Sequence, residues 1–135
     1  MVRRLHHLGI AVDDLDAAIE RWVSLFGATL EHREVVPDQG VEAASVRVGG
    51  DRIELLFPLG VDTPVGRFLE RRGPGMHHVA FQVDDVAAEL DRLRADGARL
   101  IDEAPRRGLF GLQVAFVHPE ATGGVLAEFV ADERA

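Results

Sequence analysis

The sequence predicts an α+β fold made of two tandem βαβββ modules, and three observations carry that prediction. A seventeen-residue segment occurs twice: HHLGIAVDDLDAAIERW, starting at His6, returns as HHVAFQVDDVAAELDRL, starting at His77, 71 residues later without a gap. Seven of the seventeen positions are identical, and others exchange like for like, such as Leu8 with Val79 and Ile10 with Phe81. Each half then ends in an extended stretch with one acid among apolar residues, Glu54 in RIELLF and Glu128 in VLAEFV. Two copies are too few for a solenoid, so a duplicated module is the simpler architecture.

The elements follow in order. Residues 5–12 and 76–83 alternate or run apolar as strands do. Asp13-Asp14 and Asp84-Asp85 then supply N-caps, and negative charge there suits the helix dipole. The first helix carries Leu15, Ala18, Ile19, Trp22, Val23 and Phe26 on one stripe, and the second repeats it with Val86, Leu90 and Leu93, Arg94 lying at its edge. Gly27-Ala28 and Gly97-Ala98 open the next stretches. Strands are expected near 28–36, 41–48 and 51–57, then a short helix around Pro64–Arg72 before the Gly73-Pro74-Gly75 turn. The second half reads as a weak strand near 99–102, a glycine-bearing loop at 108–111, and strands near 112–117 and 124–131. One domain over 1–135 results, with modules 1–60 and 75–135 joined by a linker at 61–74.

Composition removes several classes of function. The chain has 135 residues, 47% hydrophobic and 28% charged, enough for a core without staples. It has no cysteine, so disulfides, thiolate metal sites and cysteine nucleophiles are excluded. A formal charge of −8, with no run of more than two adjacent arginines, opposes nucleic-acid binding. No apolar run approaches the roughly 20 residues that span a bilayer. The N-terminal MVRRLHH lacks a signal-peptide core, so the expected location is cytoplasmic.

Strand alternation sorts the polar residues by face. Leu8, Ile10 and Val12 point toward the helix stripe, which leaves His7, Gly9 and Ala11 opposite. In the second copy Val79, Phe81 and Val83 oppose His78, Ala80 and Gln82. His6 and His77 fall on the helix side, at strand entrances where exposure is easy. Glu54 and Glu128 sit in apolar strands, where a carboxylate is costly unless it is paired or bound to a cation. A lone histidine opening a strand is commonly a surface or structural residue, and a lone glutamate in such a strand commonly faces water. Repetition at matching positions changes the balance. His7, Glu54, His78 and Glu128 are expected to hold one divalent metal, and an N/O donor set of this kind suits cobalt, manganese, nickel, zinc or iron(II). The sheet is accordingly expected to be mixed and curved around a metal-binding cleft, helices on its outer face. His32 and His118, near strand ends, are expected to be exposed, and the Asp-Asp pairs to be caps.

With these residues placed, the chain resembles the vicinal oxygen chelate (glyoxalase/bleomycin-resistance-like) superfamily and, within it, the methylmalonyl-CoA epimerase family. The resemblance runs through LHHLGIAVDDLDAAI, VPDQGV, RIELLFPLG, PVGRFLERRGPGMHHVAFQVDDV, RLIDEAP and VAFVHPEATGGVLAEFV. It implies metal ligation by His7, His78 and Glu128, with Glu54 as fourth ligand. It also implies an acyl-CoA substrate, a homodimer, and epimerisation by α-proton abstraction through a metal-stabilised enolate, with Glu128 as an acid–base group. Two departures stand out. Some family members carry a second catalytic glutamate where this chain has Ala43, with Glu42 one residue away. A loop of small residues in the family is here Arg107-Gly108-Leu109-Phe110-Gly111. Alternatives are a glyoxalase-like isomerase or lyase on another thioester or thiol conjugate, and a non-catalytic binding module of the same fold. An extradiol-type dioxygenase fits less well, since the tyrosine such sites enlist is absent.

Overall fold

The computed structural model describes residues 1–134 and has an α+β architecture. The first half runs β1 (Arg4–Ala11), α1 (Leu15–Phe26), β2 (Thr29–Val36), β3 (Val41–Val48), β4 (Asp51–Pro58) and α2 (Pro64–Arg72). The second runs β5 (Gly75–Gln82), α3 (Val86–Ala95), β6 (Arg106–Arg107), β7 (Gln113–Val117), α4 (Pro119–Thr122) and β8 (Ala127–Ala131). Both halves repeat one topology. The first lines its strands up as β2-β3-β4-β1 and the second as β6-β7-β8-β5, with the first and last strands of each module parallel and the other pairs antiparallel.

By compactness the chain divides into His7–His77 and a second unit, which joins Met1–His6 to the chain from His78 onward. The His7–His77 core forms where the α1 stripe meets one face of its strands. Leu15 and Ala18 pack with Val12, Ala28, Ala44, Val46 and Leu55. Asp14 starts α1 by accepting from the Ala17 backbone N–H at 3.0 Å. Gly27 ends it at φ 67°, a left-handed geometry that only glycine adopts without a Cβ penalty. The second unit has the same plan. Val86 and Leu90 of α3 pack with Val83, Ala115, Val117, Ala127 and Phe129, and Asp85 caps α3 through the Ala88 N–H at 3.0 Å.

Four expectations need correction. The strand near 99–102 is reduced to a single bridge between Leu100 and Val117, and the edge strand is β6 instead. The reason lies in Asp102, whose Oδ2 takes the Phe116 N–H at 2.8 Å, so a side chain stands where a ladder carbonyl would. The α1 stripe is fully buried only at Leu15 and Ala18, with Ile19 and Trp22 half-buried against the core and Val23 and Phe26 exposed. His6 is buried rather than exposed, because Asp132 meets it across the fold. His118 is half-buried, and its Nδ1 accepts from the Glu120 N–H at 3.0 Å to cap α4, a helix the apolar pattern left unmarked. No helix among the described residues is long and apolar enough to cross a membrane.

Candidate metal centre and active site

Two imidazole–carboxylate pairs occupy the same place in the two halves. Gly9 of β1 stands opposite Glu54 of β4, and Ala80 of β5 stands opposite Glu128 of β8. In each case the histidine lies two residues before the small residue, on the same face. Neighbouring strands lie about 4.8 Å apart, so a side chain displaced by two residues reaches diagonally across to the partner strand. Glycine and alanine leave that diagonal open. His7 Nδ1 consequently lies 3.3 Å from Glu54 Oε2 within the first unit. His78 Nε2 lies 3.2 Å from Glu128 Oε1 within the second. All four residues are buried, at 2% exposure for His7, 6% for Glu54, 5% for His78 and 3% for Glu128. Burying that much ionisable surface is costly without compensation, and an imidazole nitrogen beside a carboxylate oxygen is a donor set that accepts a borderline divalent cation. These are His/Glu groups of the kind that could bind a metal.

The surroundings of each pair differ. In the first unit Ser45 stands opposite Glu54 on β3, fully buried. Its hydroxyl donates to Glu31 Oε1 at 3.0 Å, and Arg52 Nε donates to the same oxygen at 2.9 Å. Glu31 reaches them because β2 carries a bulge between Leu30 and His32, and a bulge re-aims the side chain it adds. Burial pushes the Glu31 carboxyl up, but the hydrogen bonds from Arg52 and Ser45 outweigh it and leave the group below the usual carboxylate range. In the second unit Phe116 stands opposite Glu128, with its ring edge-on to His78 at 5.3 Å. Val114, Val130 and Ala80 make an apolar floor beside them.

Comparison with known proteins decides the family. The pattern of the glyoxalase/bleomycin resistance protein/dioxygenase superfamily matches residues 6–116. The ethylmalonyl-CoA/methylmalonyl-CoA epimerase of Cereibacter sphaeroides is 38% identical over 130 residues, covering 95% of this chain and 97% of that protein. The crystal structure of methylmalonyl-CoA epimerase from Mycobacterium tuberculosis is 42% identical and superposes with a TM-score of 0.93, over 96% of this chain and 88% of that one. The chain belongs to the methylmalonyl-CoA epimerase family of this superfamily. A Streptomyces coelicolor member of the family, a methylmalonyl-CoA epimerase variant solved in complex with 2-nitronate-propionyl-CoA, is 37% identical with a TM-score of 0.94, over 98% of this chain and 96% of that one.

Against that family the two departures take on a structural form. Ala43 is buried in β3, on the face it shares with Ser45. Glu42 projects from the opposite face, where Arg33 Nε donates to its Oε2 at 3.0 Å. One residue of displacement in a strand therefore takes the acid away from Glu54. The loop at 108–111 forms a short 3-10 turn in which Leu109 is buried and Phe110 holds φ 63°. The guanidinium of Arg134 lies 3.8 Å over the Phe110 ring and keeps the turn in place. His32, expected to be exposed, is instead half-buried and pairs with Glu34 Oε1 at 2.9 Å in β2. The spacing of residues marked neither Glu31 and Arg52 nor Phe116. A bulge and a two-residue edge strand leave no periodic trace.

Proposed function

We propose that this chain is a divalent-metal-dependent methylmalonyl-CoA epimerase, in which His7, Glu54, His78 and Glu128 hold one cation and Glu128 moves the α-proton. One observation carries the reading: the imidazole–carboxylate pair recurs at the same register in both halves of a chain from this family. The donor set fits the cation, since it is all nitrogen and oxygen in a chain without thiols, which suits cobalt, manganese, nickel or zinc alike, and cobalt is the ion proposed first. On this reading modules 1–60 and 75–135, with linker 61–74, work as one domain. A homodimer and a cytoplasmic setting belong to the same proposal, and sedimentation reads the former.

A bound divalent cation supplies Lewis-acid stabilisation of the negative charge that develops when the α-proton leaves. The chain supplies the rest. Glu128 takes the proton with a carboxylate held in β8 and flanked by Ala127 and Phe129. Its position is fixed by His78 on one side and by the Phe116 backbone across the ladder. Val114, Val130 and Ala80 give the same face an apolar floor beside the carboxylate.

Protein charged with Co²⁺ is expected to exchange the α-proton of methylmalonyl-CoA for deuterium in D₂O, followed by proton NMR. Glu128→Gln is expected to lower that rate by about 100-fold or more with the fold intact. Folded, cobalt-bearing protein that leaves the α-proton in place contradicts the proposal. Elemental analysis of His78→Ala separates the non-catalytic reading, which unchanged metal content would favour.

A further inference from the structure

The second module carries a cation on the face of the proposed base that no repeat or motif marked. Arg106 of β6 stands opposite Val114, Val114 stands opposite Val130, and Phe116 stands opposite Glu128. Because side chains alternate by twos, Arg106, Phe116, Glu128 and His78 all lie on one face of these strands. The contacts agree with the register. The Arg106 guanidinium carbon lies 5.7 Å from the centre of the Phe116 ring, and that ring meets His78 edge-on at 5.3 Å. Asp102 braces the arrangement twice over. Its Oδ1 lies 3.1 Å from Arg106 Nε, and its Oδ2 accepts the Phe116 N–H at 2.8 Å. The arginine side chain is 31% exposed, so most of it is withdrawn from water.

We propose that Arg106 recognises the free carboxylate of the acyl group, and so selects malonyl-type thioesters over simple acyl thioesters. The inference rests on the epimerase reading above. A guanidinium offers a planar fork that matches a carboxylate, and partial desolvation strengthens the pairing. Stacking on Phe116 and bracing by Asp102 fix the plane of that fork before substrate arrives, which lowers the ordering cost of binding. An arginine serving only as a surface staple to Asp102 would gain nothing from a place over the ring that borders His78. Coenzyme A carries phosphates as well, but the position on the Glu128 face assigns Arg106 to the acyl end.

The test is calorimetric binding of malonyl-CoA, acetyl-CoA and coenzyme A to the Co²⁺-charged full chain, wild type against Arg106→Gln and Arg106→Lys. Arg106→Gln is expected to weaken malonyl-CoA by about tenfold or more, as befits a lost hydrogen-bonded charge, and to change acetyl-CoA and coenzyme A by less than about twofold. Arg106→Lys keeps the charge without the fork and is expected to fall between. Retained acetyl-CoA binding shows that a variant is folded, and if Arg106→Gln does not fold, Arg106→Lys carries the comparison. Parallel weakening of all three ligands overturns the inference in favour of phosphate contact, and unchanged malonyl-CoA binding overturns it outright. In either case α-proton exchange by the wild type leaves the epimerase reading standing. A wild type that neither exchanges the proton nor prefers malonyl-CoA to acetyl-CoA removes both.

Discussion

Phe110 sets two local effects against each other. Its φ of 63° lies in the left-handed region, which costs a residue with a Cβ roughly 1–2 kcal/mol. Against this, Arg134 stacks on the ring at 3.8 Å, a contact worth about 0.5–1 kcal/mol at a site of this exposure. The two nearly cancel, so Phe110→Gly is expected to move stability in urea by less than about 1 kcal/mol. Arg134→Ala keeps the strain and loses both the stacking and the hydrogen bonds to Asp132, so it is expected to be the more damaging change; the reverse order would show that the turn is held by something other than that ring. At this scale the candidate residues of the site were legible in the sequence. His7, His78, Glu54 and Glu128 could be singled out because each is a costly residue in an apolar strand and each recurs. The contact between His6 and Asp132 was not, since the two lie 126 residues apart and nothing local to either names the other.

At the scale of elements, the repeat brought with it two equivalent helix starts. Asp14 and Asp85 each accept a backbone N–H three residues on at 3.0 Å, while Asp13 is exposed and lies outside α1. Asp14→Ala and Asp85→Ala are each expected to cost about 1 kcal/mol by chemical denaturation, whereas Asp13→Ala costs under about 0.5. Equal losses from Asp13 and Asp14 would mean that helix-dipole charge, not the cap bond, stabilises α1. Strands β1, β3, β4, β5, β7 and β8 could be read from alternation because one face of each packs under a helix. The edge at β6 could not. Its pairing spans two residues, and Asp102 ends the preceding bridge with a side chain in place of a carbonyl. The strand expected near 28–36 is β2, but its bulge between Leu30 and His32 adds one residue and reverses the faces beyond it, which periodicity does not mark.

For the molecule as a whole, acid stability turns on buried carboxylates such as Asp132. Burial pushes its carboxyl up, but hydrogen bonds from Arg134 and His6 and the arginine charge outweigh that and hold it far below the ordinary aspartate range. A depressed folded-state pKa contributes stability that is present above the unfolded value near 4 and is lost as pH falls below it. Asp132→Asn is therefore expected to be less stable than wild type at pH 7, by on the order of 2 kcal/mol, with the gap closing as pH drops toward 3. Urea midpoints at both pH values check this, and a constant gap would place the effect in packing instead. The central proposal is that His7, Glu54, His78 and Glu128 hold one cation. Calorimetric titration of metal-free protein with Co²⁺ tests it most directly. The account predicts one ion per chain, with His7→Ala, Glu54→Gln, His78→Ala and Glu128→Gln each weakening that single event. Two independent ions per chain, each lost only with its own pair, would contradict it.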